Sequence, residues 1–169
     1  MAGCNPGYRP VSEWEQQNFR KAERPVYPNM VIKNPARFQN TVVAWPGIIE
    51  TAEIYENPGN FQVVLRMEHH YYNWQEDPDP NGIIYHLSRQ GEGFFQTNWF
   101  IKKEAGMDFI EERFAPGNLA FVYGVPDTVV DNEVILEGLY VRTVPPEAYE
   151  ADFFNYIPKN STSAGEQVR

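Results

Sequence analysis

Apolar and polar residues alternate most cleanly over residues 61–72. Phe61, Val63, Leu65, Met67, His69 and Tyr71 fall on one side of such a segment, and Gln62, Val64, Arg66, Glu68, His70 and Tyr72 on the other. A period of two predicts a strand, and the first set is the core face. Residues 37–55 carry Phe38, Val42, Val43, Trp45, Ile48, Ile49 and Ile54 around a Pro46-Gly47 break, the pattern of a long strand bent or bulged at its middle. Asn57-Pro58-Gly59-Asn60 is a turn between the two. Residues 83–89 predict a third strand, with Ile83, Tyr85 and Leu87 inward and Ile84, His86 and Ser88 outward. An aromatic-rich segment follows over 94–101. Residues 102–114 are the best helix candidate of the body, because Met107, Ile110 and Phe114 fall at helical spacing, although Gly106 weakens it. Residues 119–125 and 133–144 predict two more strands, joined through Pro126-Asp127.

The ends read differently. Ser12-Glu13-Trp14-Glu15 is a capping box that opens a short helix reaching about Ala22, closed by Pro25 and Pro28. The residues before Ser12 read as a tether. Pro145-Pro146-Glu147 opens a short C-terminal helix, with Tyr149, Phe153 and Tyr156 along one side. Residues 160–169 offer almost nothing to bury and predict a disordered tail. The expected organisation is therefore a tether and helix over 1–27, one β-barrel domain over 28–158, and a tail over 159–169. The order strand, strand, strand, helix, strand, strand predicts a mainly β chain. It suits a small antiparallel OB-like Greek-key β-barrel, with a helix between strands 3 and 4 and short N- and C-terminal helices. A six- or seven-stranded antiparallel barrel or sandwich is the competing architecture.

Composition narrows the function classes. A chain of 169 residues fits one domain. Aromatics at 15%, with 14 prolines and 12 glycines, suit short interrupted strands better than a helical bundle. The net charge of −9 argues against nucleic acid as a partner, because Lys and Arg supply most of the affinity for phosphate backbones. The longest apolar runs are a few residues, far below the roughly 20 that a spanning helix needs.

Three groups of residues carry candidate chemistry. Glu68, His70 and His86 share the predicted outward face, and two imidazoles with a carboxylate could hold zinc with an open position. Against this stands a plain solvated polar face. Asp77-Pro78-Asp79-Pro80-Asn81-Gly82 matches the start of a calcium loop, with Asp77, Asp79 and Asn81 as alternate oxygens. The twelfth position is Ser88 where a bidentate Glu belongs, and a rigid acidic hairpin explains the same letters. The aromatic excess around 71–100 is mostly core, which leaves Trp74, Trp99 and Tyr72 as candidate anchors for a protein or glycan partner. His86 and Ser88 lack an orienting acid and a nucleophile-elbow sequence, so the reading is a binding or structural module and not an enzyme.

Cys4 is the single cysteine and stands in Ala2-Gly3-Cys4, which looks like the end of a bacterial lipoprotein signal. On that reading Cys4 is the lipidated first residue of the mature protein. Asn34-Pro35-Ala36-Arg37-Phe38, the segment from Ser88 through Gly91-Glu92-Gly93 to Phe95, and the segment from Phe114 through Pro116-Gly117 to Gly124 add to it. Together with the closing strand over 136–144, they resemble the Slp-type outer membrane lipoproteins of Gram-negative bacteria. The resemblance covers most of 34–158, though that family usually has a Phe-Gly-Gly-like start where this chain has Phe38-Gln39-Asn40. It implies a bacterial outer membrane location through the N-terminal lipid, on the periplasmic or surface face. Asn5 after the cysteine differs from the Asp that favours inner-membrane retention.

Overall fold

A computed structural model describes residues 7–75, 84–104, 106–154 and 157–158. Five strands close a barrel: β1 (Val43–Glu56), β2 (Asn60–His69), β4 (Phe94–Lys102), β5 (Leu119–Val130) and β6 (Glu133–Val144). Around the barrel the order is β1-β2-β4-β6-β5, with β5 returning to β1. All neighbours are antiparallel except β4 and β6, which pair in parallel over Gln96–Asn98 and Ile135–Glu137. Helix α3 (Met107–Arg113) lies between β4 and β5 in sequence. This is the expected small OB-like barrel with its helix between the third and fourth barrel strands.

Alternation explains the interior. Phe61, Val63, Leu65 and Met67 of β2 are buried, joined by Trp45 and Ile49 of β1, Phe95 of β4 and Val122, Leu136 and Val141 of β5 and β6. Ile110 and Phe114 close this core from the helix side. Gly47 makes the tight curl possible. A Cβ there would stand 2.8 Å from Met67 Cβ and 2.9 Å from the Phe95 ring. The β1 bulge itself falls between Ile49 and Thr51, not at Pro46-Gly47, and β1 runs unbroken through that pair.

Other expectations need correction. The predicted third strand forms as β3 (Tyr85–Ser88) but stays outside the barrel, pairing in parallel with β7 (Tyr149–Phe154). The third barrel strand is the aromatic segment, β4. The predicted C-terminal helix shrinks to one 3-10 turn, Pro146–Ala148, and the chain then extends into β7. Strand β5 continues past Pro126-Asp127, absorbs them at a bulge, and turns at Asp131-Asn132, both with positive φ. Asp and Asn tolerate that left-handed geometry because their short polar side chains bond locally.

The N-terminal segment is part of the domain, which moves its boundary from residue 28 to at least Tyr8. Tyr8, Ala22 and Val26 are buried, and Tyr8 packs with Tyr72, Tyr85 and Phe121 in a second core outside the barrel wall. Helix α1 (Glu13–Lys21) starts as expected, with Ser12 Oγ accepting from the Glu15 amide at 3.1 Å. The reciprocal half of the capping box is replaced. Glu15 turns inward and accepts from the Tyr8 hydroxyl, the Val11 amide at 2.8 Å and the Tyr123 hydroxyl at 2.9 Å. A second short helix, α2 (Pro28–Lys33), follows with Pro28 in its first turn. Residues 159–169 lie outside the described residues. Among the described residues no helix is long and apolar enough to cross a membrane.

Candidate functional site

Two of the three predicted aromatic anchors converge. After His69 the chain leaves the β2 ladder, and residues 70–73 run as irregular backbone against 88–93. The Tyr71 amide donates to the Gln90 carbonyl, and the Ser88 amide donates back to Tyr71. This path carries Tyr72 and Trp74 to the N-terminal segment. There the Tyr8 amide donates to the Trp74 carbonyl at 2.9 Å, and Tyr8 meets Trp74 edge-to-face at 5.0 Å.

The result is a pocket of about 420 Å³ lined by Arg24, Pro25, Tyr27, Tyr72, Asn73, Trp74 and Gln75. Tyr72 is 6% exposed and serves as its floor, whereas Trp74 is half-buried and forms a wall. Arg24 supplies the charge. Its guanidinium lies 4.1 Å from the centre of the Phe19 ring and donates to the Phe19 carbonyl at 2.8 Å, so it is held in place before any ligand arrives. Burial pushes the Arg24 guanidinium down from its ordinary value. A partly dehydrated cation beside aromatic walls suits a ligand that combines an anionic group with a flat or aliphatic body. Sequence reasoning missed Arg24, Tyr27 and Tyr8, because they precede the barrel in a segment that reads as tether and turn.

The pocket rests on a buried polar cluster. His69 is 2% exposed, and its Nδ1 accepts from the Glu92 amide at 3.0 Å. Burial, with His70 adding to it, pushes His69 down to about 3, so the ring is neutral near pH 7. Glu92 accepts from the Tyr71 hydroxyl at 2.5 Å and the Asn29 amide at 2.8 Å, and burial pushes its carboxyl up. Tyr27 packs edge-on against Tyr71 at 5.5 Å, which links the pocket wall to this cluster.

The remaining candidates separate. Trp99 is half-buried on the barrel's helix side, between Phe114 at 5.9 Å and Tyr140 at 6.0 Å, and takes no part in the pocket. Glu68 and His70 come within 3.9 Å, but His70 Nδ1 bonds the Ser88 carbonyl at 2.8 Å. His86 faces Glu150 at 3.7 Å instead, since β3 pairs with β7 and not with β2. Among the described residues no three His, Cys, Asp or Glu side chains gather as a metal site would require. Asp77, Asp79 and Asn81 of the calcium-like loop, and Cys4, lie outside the described residues.

Comparison with known proteins finds no family model that matches this chain and no curated protein similar to it in sequence.

Proposed function

We propose that the chain is a lipid-anchored protein of the bacterial outer membrane, held through Cys4, whose barrel presents a ligand-binding pocket close to that anchor. The anchor is read from Ala2-Gly3-Cys4, and the observation that brings the pocket close to it is the docking of Tyr8. Its ring is buried and its amide bonds Trp74, a wall of the pocket, only four residues after Cys4. Four residues span at most about 14 Å, so a lipid on Cys4 would hold the pocket side of the barrel near the bilayer. Charge supports the same orientation. Residues 1–40 hold six Lys and Arg against three Glu, while the rest of the chain is strongly acidic. A basic side suits a surface of anionic phospholipid.

The role is binding, not turnover. His69 is neutral, deeply buried and already bonded, which leaves it badly placed to move protons for a ligand in the pocket. Arg24, Tyr27 and Trp74 are the contacts that select the ligand, an envelope component bearing an acidic group. The test places a photo-reactive phenylalanine analogue at Asn73 of the full chain displayed in a Gram-negative envelope. A discrete cross-linked product that Arg24→Gln abolishes is the expected result. Products unchanged by Arg24→Gln would remove the pocket from the proposal.

A further inference from the structure

The outer face of the barrel carries a second feature, at the far end of β1 from Val42, whose carbonyl accepts from the Glu23 amide. Tyr55 of β1 stands opposite Gln62 of β2, and Gln62 stands opposite Phe100 of β4. Directly opposed residues share a face, and Phe61 is buried, so this row points outward. Tyr55 is 48% exposed and Phe100 56% exposed. The two rings sit two strands apart, about 10 Å. The next row along the same face is Glu53, Val64, Asn98 and Glu137, taken across β1, β2, β4 and β6. Beside Phe100 a shallow pocket of about 180 Å³ is lined by Asn98, Asp127, Ile135, Leu136 and Glu137.

The side chains on this face are positioned. The Tyr55 hydroxyl donates to Glu53 Oε2 at 2.6 Å, which holds the ring along β1. Gln62 Nε2 donates to Asn98 Oδ1 at 2.8 Å, so the amide groups left for a ligand are Gln62 Oε1 and Asn98 Nδ2. Asp127 and Glu137 are exposed acceptors at the pocket rim.

From this arrangement we infer that the Tyr55–Phe100 face is a binding site for a neutral oligosaccharide. Two exposed rings two strands apart offer stacking surfaces to the C–H faces of sugar rings in one chain. Amides and carboxylates between and beside them match hydroxyl groups, which both donate and accept. Charge decides against other occupants. Glu53, Asp127 and Glu137 outnumber Lys102, the exposed cation two residues from Phe100 on the same face, and Arg66 is engaged by Glu50 and bidentately by Glu133. A phosphodiester chain would therefore meet three carboxylates with one lysine to offset them, a net repulsion. A bilayer or a second copy would have to dehydrate the amides and carboxylates between the rings.

Calorimetric titration of the full chain with chitotetraose and with maltohexaose tests the site. Saturable binding of at least one of them is expected. Phe100→Ala or Tyr55→Ala should weaken it about tenfold, the scale of one aromatic stacking contact. Both rings are largely exposed, so unchanged circular dichroism is expected for both variants. Arg24→Gln should bind like the wild type, which separates this site from the pocket near the N-terminus. No saturable binding of either sugar, or binding that survives both ring substitutions, overturns the inference. Preferential binding of an oligolysine peptide at the same face would overturn it in favour of a cationic partner.

Discussion

Single residues tie the N-terminal segment to the barrel. Glu15 is fully buried and satisfies two tyrosine hydroxyls and a backbone amide, while Arg142 donates to Tyr8 at 2.8 Å and to Tyr85. Burial and Glu15 push Tyr8 and Tyr123 well above the ordinary phenol range, and Tyr123 adds to the rise at Tyr8. Glu15→Ala strands several buried donors and should cost about 2–4 kcal/mol in urea unfolding. Tyr8→Phe, which removes one hydroxyl and keeps the ring, should cost nearer 1 kcal/mol. The histidine cluster predicts a pH dependence. The folded state holds His69 near 3, below its unfolded value of about 6.5, so the unfolded chain binds the extra proton. That contribution to stability is complete above about pH 6.5 and is lost as pH falls toward 3. Glu92 opposes it, because a raised carboxyl favours folding at low pH and loses that contribution as pH rises. The urea midpoint of the wild type should drop between pH 6.5 and 4, and His69→Gln should flatten that drop. An unchanged slope in the variant would move the acid sensitivity elsewhere.

At the scale of elements, local signals are accurate and long-range pairings are not. The Ser12 cap, the alternation of β2 and the helical spacing of Ile110 and Phe114 all rest on contacts within a few residues, and the fold keeps them. Gly106, which weakens the helix when placed inside it, stands instead at its N-cap. The strand over 85–88 and the aromatic segment over 94–102 are both extended, and which one enters the barrel depends on partners more than twenty-five residues away. Tyr149 reads as one side of a helix but extends, because β3 offers its backbone edge for pairing. Gly91 explains why residues 69–71 can turn off the barrel. A Cβ there would lie 1.7 Å from the His69 carbonyl oxygen, which the neighbouring backbone cannot yield. Gly91→Ala should therefore cost 3 kcal/mol or more, at about the upper end for overpacking. Gly93 has a φ of +81° with open space around it, so Gly93→Ala should lose only about 1 kcal/mol. Thermal unfolding of the two variants side by side checks this ordering, and equal losses would contradict it.

For the whole molecule, the acidic composition hides an asymmetry. Residues 41–169 hold eight Lys and Arg against twenty Asp and Glu, whereas residues 1–40 are net basic and include Arg24 of the pocket. The pocket itself was half readable. Tyr72 and Trp74 stand out as aromatics after a clear strand, but Arg24 and Tyr27 reach them only through the docking of a segment with no periodic pattern. The zinc set fails for the same reason in reverse, since it assumed that the second and third predicted strands pair. Of the stretch before Ser12 that reads as a tether, Tyr8 is already packed into the domain, which on the proposed anchoring leaves few residues between Cys4 and the fold. The central claim is tested most directly by the intact mass of the protein made behind a lipoprotein leader in a Gram-negative host. The account predicts a mature chain beginning at Cys4 that carries acyl chains and fractionates with the outer membrane, both lost in Cys4→Ser. An unmodified Cys4 thiol on a chain recovered in the soluble fraction would contradict it.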